Sequence, residues 1–166
     1  MSFLVSLGLT EEDFTELYNN NGALRSMCDG YAREHHVRNH ILKTEGVISV
    51  EKMPDSDRTN RYDLKVETIT GTLRVEVKSC MKQNRVQLRA SDRRSYTIED
   101  VLFNTHALPR GHFDILCIVE NNVPYYVLSK DIPENSSRDV PLNYQDLFLS
   151  TSFKLQSVPT FTELPV

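Results

Sequence analysis

The chain has 166 residues, enough for one ordinary domain, and its 39% hydrophobic and 25% charged side chains exclude a disordered tail. No stretch approaches the ~20 apolar residues of a membrane-spanning helix, and three scattered cysteines (Cys28, Cys80 and Cys117), with no CxxC, exclude a disulfide scaffold. The net charge is −4, yet residues 74–94 gather seven basic side chains against Glu76 and Asp92, which suits one local surface for an anionic partner.

The first residues are apolar but have no basic n-region or small-residue cleavage site, so a cytoplasmic protein with reduced thiols and no membrane partner is expected. Thr10-Glu11-Glu12-Asp13 predicts a helix start, with Thr10 as N-cap and acids in the first turn, fading by Asn19-Asn20-Asn21. A longer helix is predicted from about Ala23 to Lys43, because Leu24, Met27, Cys28, Tyr31, Ala32, Val37, Ile41 and Leu42 recur at helical spacing. A short strand follows at Val47-Ile48-Ser49-Val50, and Pro54 to Asn60 is dense in turn formers.

Tyr62 to Thr68 and Thr72 to Ser79 alternate polar and apolar around Thr70-Gly71, which predicts a β-hairpin. One face carries Leu64, Val66, Leu73, Val75 and Val77, and the other Asp63, Lys65, Glu67, Arg74, Glu76 and Lys78. A further strand is expected at Val86-Gln87-Leu88, a helix at Thr97 to Phe103, strands at Phe113 to Val119 and Val123 to Leu128, and a short helix at Leu142 to Leu149. The last fifteen residues show no pattern. The class is mixed α/β in a single domain.

The polar face of the hairpin carries the chemistry. A turn centred near residue 69.5 pairs Asp63 with Glu76, and one pair of slip pairs Asp63 with Lys78; either register keeps the three on one face. Directly opposite Cβ atoms lie about 4.5–5.5 Å apart, so two carboxylates there repel unless a cation lies between them. Oxygen donors favour Mg²⁺ or Mn²⁺ over zinc, and the Val77 carbonyl is a candidate further ligand. Such a site suits metal-assisted hydrolysis of a phosphodiester, with Lys78 orienting the water, sharing in its deprotonation or neutralising the phosphate. Lys82, Arg85, Arg89, Arg93 and Arg94 follow and are candidates for holding flanking phosphates.

From Arg33 to Arg89 the chain resembles the PD-(D/E)xK nuclease superfamily, the restriction-endonuclease-like fold, and in pattern its compact members such as archaeal Holliday-junction resolvases and small restriction or repair nucleases. The resemblance implies a central mixed β-sheet flanked by helices in the order αβββαβ. It also implies Glu34 as the helix glutamate, Asp63 as the motif aspartate, Glu76 and Lys78 as the ExK, and Gln87 as an assisting residue on the next strand. The implied activity is a Mg²⁺- or Mn²⁺-dependent endonuclease acting on DNA, with a homodimer presenting two sites to a duplex. The literal Pro54-Asp55 lies in the turn-rich loop with no register to fix it, so Asp63, behind Tyr62, is the better match.

Other readings compete. Glu34-His35-His36 with His40 invites zinc, but no HExxH or neighbouring cysteine supports it. The Ser91 to Tyr96 stretch reads as a phosphate-contacting loop with Tyr96 stacking on a base, or as a helix cap. His106 and His112 have no fixed position. A nuclease-like fold used only for nucleic-acid binding, or a protein-interaction domain with an incidental polar hairpin, are the alternatives to an enzyme.

Overall fold

The computed structural model describes residues 3–54, 62–90 and 93–166. Three helices lead the chain: α1 (Phe3–Ser6), α2 (Glu11–Asn20) and α3 (Gly22–Ile41). α2 starts with a reciprocal cap, in which the Asp13 N–H donates to Thr10 Oγ1 at 3.1 Å and the Thr10 N–H donates to the Asp13 carboxylate at 2.9 Å. Asn21 then separates the helices, its side-chain oxygen accepting from the Ala23 and Leu24 N–H groups at 3.1 and 3.0 Å. α3 buries only Val37 and Ile41, one turn apart, and α2 buries nothing.

The strands are β1 (Val47–Lys52), β2 (Leu64–Thr68), β3 (Gly71–Met81), β4 (Arg85–Gln87), β5 (Arg94–Ile98), β6 (Val101–Thr105), β7 (Ile115–Glu120), β8 (Val123–Leu128) and β9 (Ser152–Lys154). β1, β2 and β3 form an antiparallel meander; β7 lies parallel to β3 on its other side, and β8 closes that edge by a hairpin. The far end of β3 turns away to pair with β4, which in turn pairs with β9. The architecture is α/β with a central mixed sheet, as expected. β7 is buried along almost its whole length, as a central parallel strand should be.

The sheet separates two apolar clusters. Val37 and Ile41 of α3 cover one face, against Leu64, Val66, Val75, Val77, Ile115 and Cys117. The other face packs Leu116 and Ile118 with Val86, Leu88, Phe113, Leu149 and Phe153. The parallel register is clamped where β7 begins. Asp114 accepts from the Arg74 backbone N–H at 2.8 Å and holds its guanidinium at 3.0 and 2.7 Å, while the Asp114 N–H donates back to the Arg74 carbonyl at 2.9 Å.

One element departs from expectation. Thr97 to Phe103 is not a helix: these residues make β5 and β6, a separate antiparallel ribbon turning at Glu99-Asp100, both with positive φ (50° and 62°). The αβββαβ order therefore has a β-ribbon where its second helix was expected. Tyr96 and Phe103 point inward to Ala107, Val140 and Phe148, and β-branched Thr97, Ile98 and Val101 suit the pleat. The acids that resemble a helical first turn instead form the mirror-image turn whose twist matches a hairpin. Leu142–Leu147 is a 3₁₀ stretch, and the apparently patternless C-terminal region supplies β9 and a bridge between Phe161 and Tyr126.

Candidate metal and phosphodiester site

The hairpin register runs from Leu64↔Val75 to Thr68↔Gly71, and Asp63 lies one residue ahead of it, close enough for its charge to act on Glu76. The Asp63 N–H donates to the Val75 carbonyl at 3.0 Å, the last backbone bond before β2 and β3 part. Beyond it β3 runs on alone along that edge, and the next exposed donor, the Val77 N–H, is taken at 2.7 Å by Asp63 Oδ2. The side chain thus replaces a missing strand backbone, and this bond aims the carboxylate across the hairpin. In a strand the N–H and C=O of one residue face the same edge, so the Val77 carbonyl turns toward Asp63 as well.

Glu76 and Lys78 share the polar face, and Lys78 Nζ is ion-paired with Glu76 Oε1. Their neighbours across the parallel pairing are Leu116 and Ile118, so this acid sits against the apolar core and is only 7% exposed. Burial pushes the Glu76 carboxyl up to about 7, and the negative charge of Asp63 adds to this against the opposing charges of Lys78 and Arg94. Burial works to lower the Lys78 pKa, but Glu76, Asp63 and Glu34 outweigh it and hold the ammonium above its ordinary value. Among the described residues, Asp63 Oδ1 and Glu76 Oε2 accept no hydrogen bond.

Glu34 reaches this centre from α3. Its carboxylate pairs with Lys52 of β1 at 2.9 Å, and its charge also acts on Lys78. Lys52 lies 5.1 Å from the centre of the Tyr31 ring, which steadies the pair from the helix side. The direct partner of Glu34 is thus Lys52, and its link to Lys78 is one of charge. Lys52 and Arg94 were not singled out for this centre from sequence.

Comparison with known proteins adds little. No protein-family model matches the chain, and no curated protein matches it. Among solved structures the chain is similar to a bacterial homing endonuclease, I-Ssp6803I, at 21% identity over 69% of this chain and 83% of that one, with a TM-score of 0.39. A superposition that loose carries no weight for function.

The remaining candidates scatter. Gln87 is exposed, and the β3–β4 register (Cys80↔Val86) turns it to the face of Ser79, opposite that of Glu76 and Lys78; it is not brought to the acid pair. Arg94 opens β5 and is the one candidate phosphate ligand whose charge is felt at Glu76. Lys82 and Arg89 are exposed, the Arg85 Nε–H donates to Ser152 Oγ at 2.8 Å, and Arg93 lies 3.7 Å from the Asp139 carboxylate. Tyr96 does not stack outward: it is 3% exposed and packs edge-on to Phe148 and His112. Asp55, Ser91 and Asp92 lie outside the described residues.

The histidines make no zinc site. His36 Nε2 lies 2.9 Å from the Asn122 carbonyl and His35 Nε2 2.9 Å from the Asn39 amide, and no cluster of three His, Cys, Asp or Glu side chains forms among the described residues. His106 Nδ1 lies 3.1 Å from the Ala90 carbonyl, which places it in a structural role.

Proposed function

We propose that the chain is a metal-dependent nuclease that hydrolyses phosphodiester bonds of DNA. The observation that carries this reading is the buried Glu76–Lys78 ion pair with the Asp63 carboxylate bonded to the Val77 N–H between them. The donor set fits a hard divalent ion. The Asp63 carboxylate is bonded to the backbone beside Glu76, burial pushes the Glu76 carboxyl up to about 7, and each keeps an oxygen that accepts no hydrogen bond among the described residues. Asp63, Glu76 and the Val77 carbonyl would hold Mg²⁺ or Mn²⁺. Such an ion acidifies a water molecule and offsets charge gathering on the phosphate.

The chain's own residues divide the rest. Lys78, on the same face as Glu76, serves as a cation and hydrogen-bond donor toward the phosphate or the attacking water. Glu34 positions Lys78 and Lys52 by its charge. Arg94 and the exposed basic residues Lys82, Arg85 and Arg89 hold neighbouring phosphates, with Arg93 beside them. Gln87 takes no part. A homodimer would present one such centre to each strand of a duplex.

The test is cleavage of plasmid, single-stranded and branched DNA with Mg²⁺ or Mn²⁺, with and without EDTA. No metal-dependent cutting of any of them defeats the enzyme reading. One observation favours a second reading, a DNA-binding module without catalysis: Glu76 already has a partner in Lys78, so the pair can stand closed. Calorimetric titration with Mn²⁺ separates the two. The enzyme takes up the ion and releases protons near pH 6, while the module does neither.

A further inference from the structure

The β5–β6 ribbon stands outside the large sheet, and its faces differ in kind. The inner face, with Tyr96, Ile98, Val101 and Phe103, is packed. The outer face presents Ser95, Thr97, Leu102 and Asn104, all exposed, as the cross-strand pairs Ser95↔Asn104 and Thr97↔Leu102. Leu102 is 71% exposed, on a ribbon whose other large apolar side chains all find cover.

None of the four outer residues is charged. Hydroxyls and a carboxamide can bond phosphate oxygens, but without a charge among them they make a weak phosphate grip, whereas the carboxamide suits adenine and the apolar side chain the thymine methyl. A two-stranded ribbon also has the width that the major groove admits. The basic residues sit at the root: Arg94 opens β5 and acts on Glu76, Arg93 precedes it, and exposed Arg89 lies a few residues upstream. The far turn carries Glu99 and Asp100, which would repel phosphates but can accept from cytosine amino groups.

We propose that the outer face of this ribbon is the base-reading surface of the nuclease, lying in the major groove of duplex DNA beside the cleavage centre, with Ser95, Thr97, Leu102 and Asn104 determining specificity. The assignment rests on the nuclease reading above. Strands of five residues span roughly 17 Å, so the bases read number about five or fewer.

The test recovers and sequences duplexes bound from a pool with a randomised segment. It uses the full chain carrying Lys78→Ala so that bound DNA stays whole, while the parent chain's cuts in the same pool are mapped in parallel. A preference over a few adjacent positions is expected. Ser95→Ala and Asn104→Ala should each lower discrimination at one or two of them roughly ten-fold, with affinity for other sequences unchanged. Leu102→Ala should relax a preference for thymine, whereas Arg89→Ala should weaken binding to every sequence alike. An unaltered preference in all three ribbon variants, or cutting by the parent chain with no base preference, overturns the base-reading assignment and leaves the nuclease intact. A parent chain that neither binds nor cuts DNA overturns both.

Discussion

Burial of Glu76 has a consequence that can be measured without any substrate. Its carboxyl titrates near 7 in the folded chain against an ordinary 4.5, so between those values the folded state binds more protons than the unfolded one. Stability contributed by this group is therefore full below about pH 4.5, falls as pH rises through 7, and is level above. The loss is on the order of 3 kcal/mol. Denaturant melts in EDTA should show higher stability at pH 5 than at pH 8, and Glu76→Gln should remove most of that difference. Asp114 works in the opposite sense and at lower pH, because its bonds to Arg74 favour the charged form; its contribution is lost as pH falls below about 4. Asp63 carries two roles, as carboxylate donor and as cap on the Val77 N–H. Asp63→Asn should abolish metal-dependent cutting, a loss of at least about 100-fold in rate, while Asp55→Asn cuts normally. The reverse pattern would move the motif to Pro54-Asp55.

At the scale of elements, the 62–79 hairpin was legible because its alternation is strict over both arms, and a slip of one residue would turn every apolar side chain to solvent. The ribbon was not. Hairpin turns with two positive-φ residues usually announce themselves with Asn or Gly, as Asn121-Asn122 does between β7 and β8, and Glu99-Asp100 hides the same geometry behind two acids. Acids pay for that conformation in backbone strain. Replacing Glu99-Asp100 by Asn-Gly should therefore stabilise the protein by about 1 kcal/mol, read as a higher denaturation midpoint with an unchanged slope. α2 offers the contrary case. Its cap and acidic first turn were clear, yet it buries no residue, and beyond the Tyr18 hydroxyl donating to Asp29 of α3 its helicity rests largely on local terms. Its amides should exchange with solvent far faster than those of β7, and Thr10→Ala should cost the helix about 1 kcal/mol and leave the global melt nearly unmoved.

For the whole molecule, the proposed DNA binding through one basic segment of an overall negative chain should show a strong but bounded salt dependence. Five candidate contacts (Lys82, Arg85, Arg89, Arg93 and Arg94) set a log–log slope of about −4.5 or shallower, measurable by titration at several salt concentrations. A slope near zero would remove the basic segment from the interface. That Glu76 and Lys78 share one face was readable from sequence, because they lie two residues apart on one strand. Lys52 was not, since it comes from an element whose approach depends on tertiary packing, and neither was the Arg74–Asp114 clamp, which joins residues forty positions apart; Arg94 was read as a phosphate contact but not as a charge acting on Glu76. The burial of Tyr96 was hidden for the same reason, because Phe148 and His112 arrive from distant stretches of chain.

The ribbon is also the crossover that carries the chain from β4 back to β7, and both of those strands are fastened in the large sheet independently of it. On the proposed reading, target choice and scission are thereby written in separable passages, residues 95–104 for the first and Asp63, Glu76, Lys78 and Arg94 for the second. Such a scaffold can exchange one vocabulary for another while its cutting edge stays as it was, and a transplanted ribbon is the simplest way to retrain it.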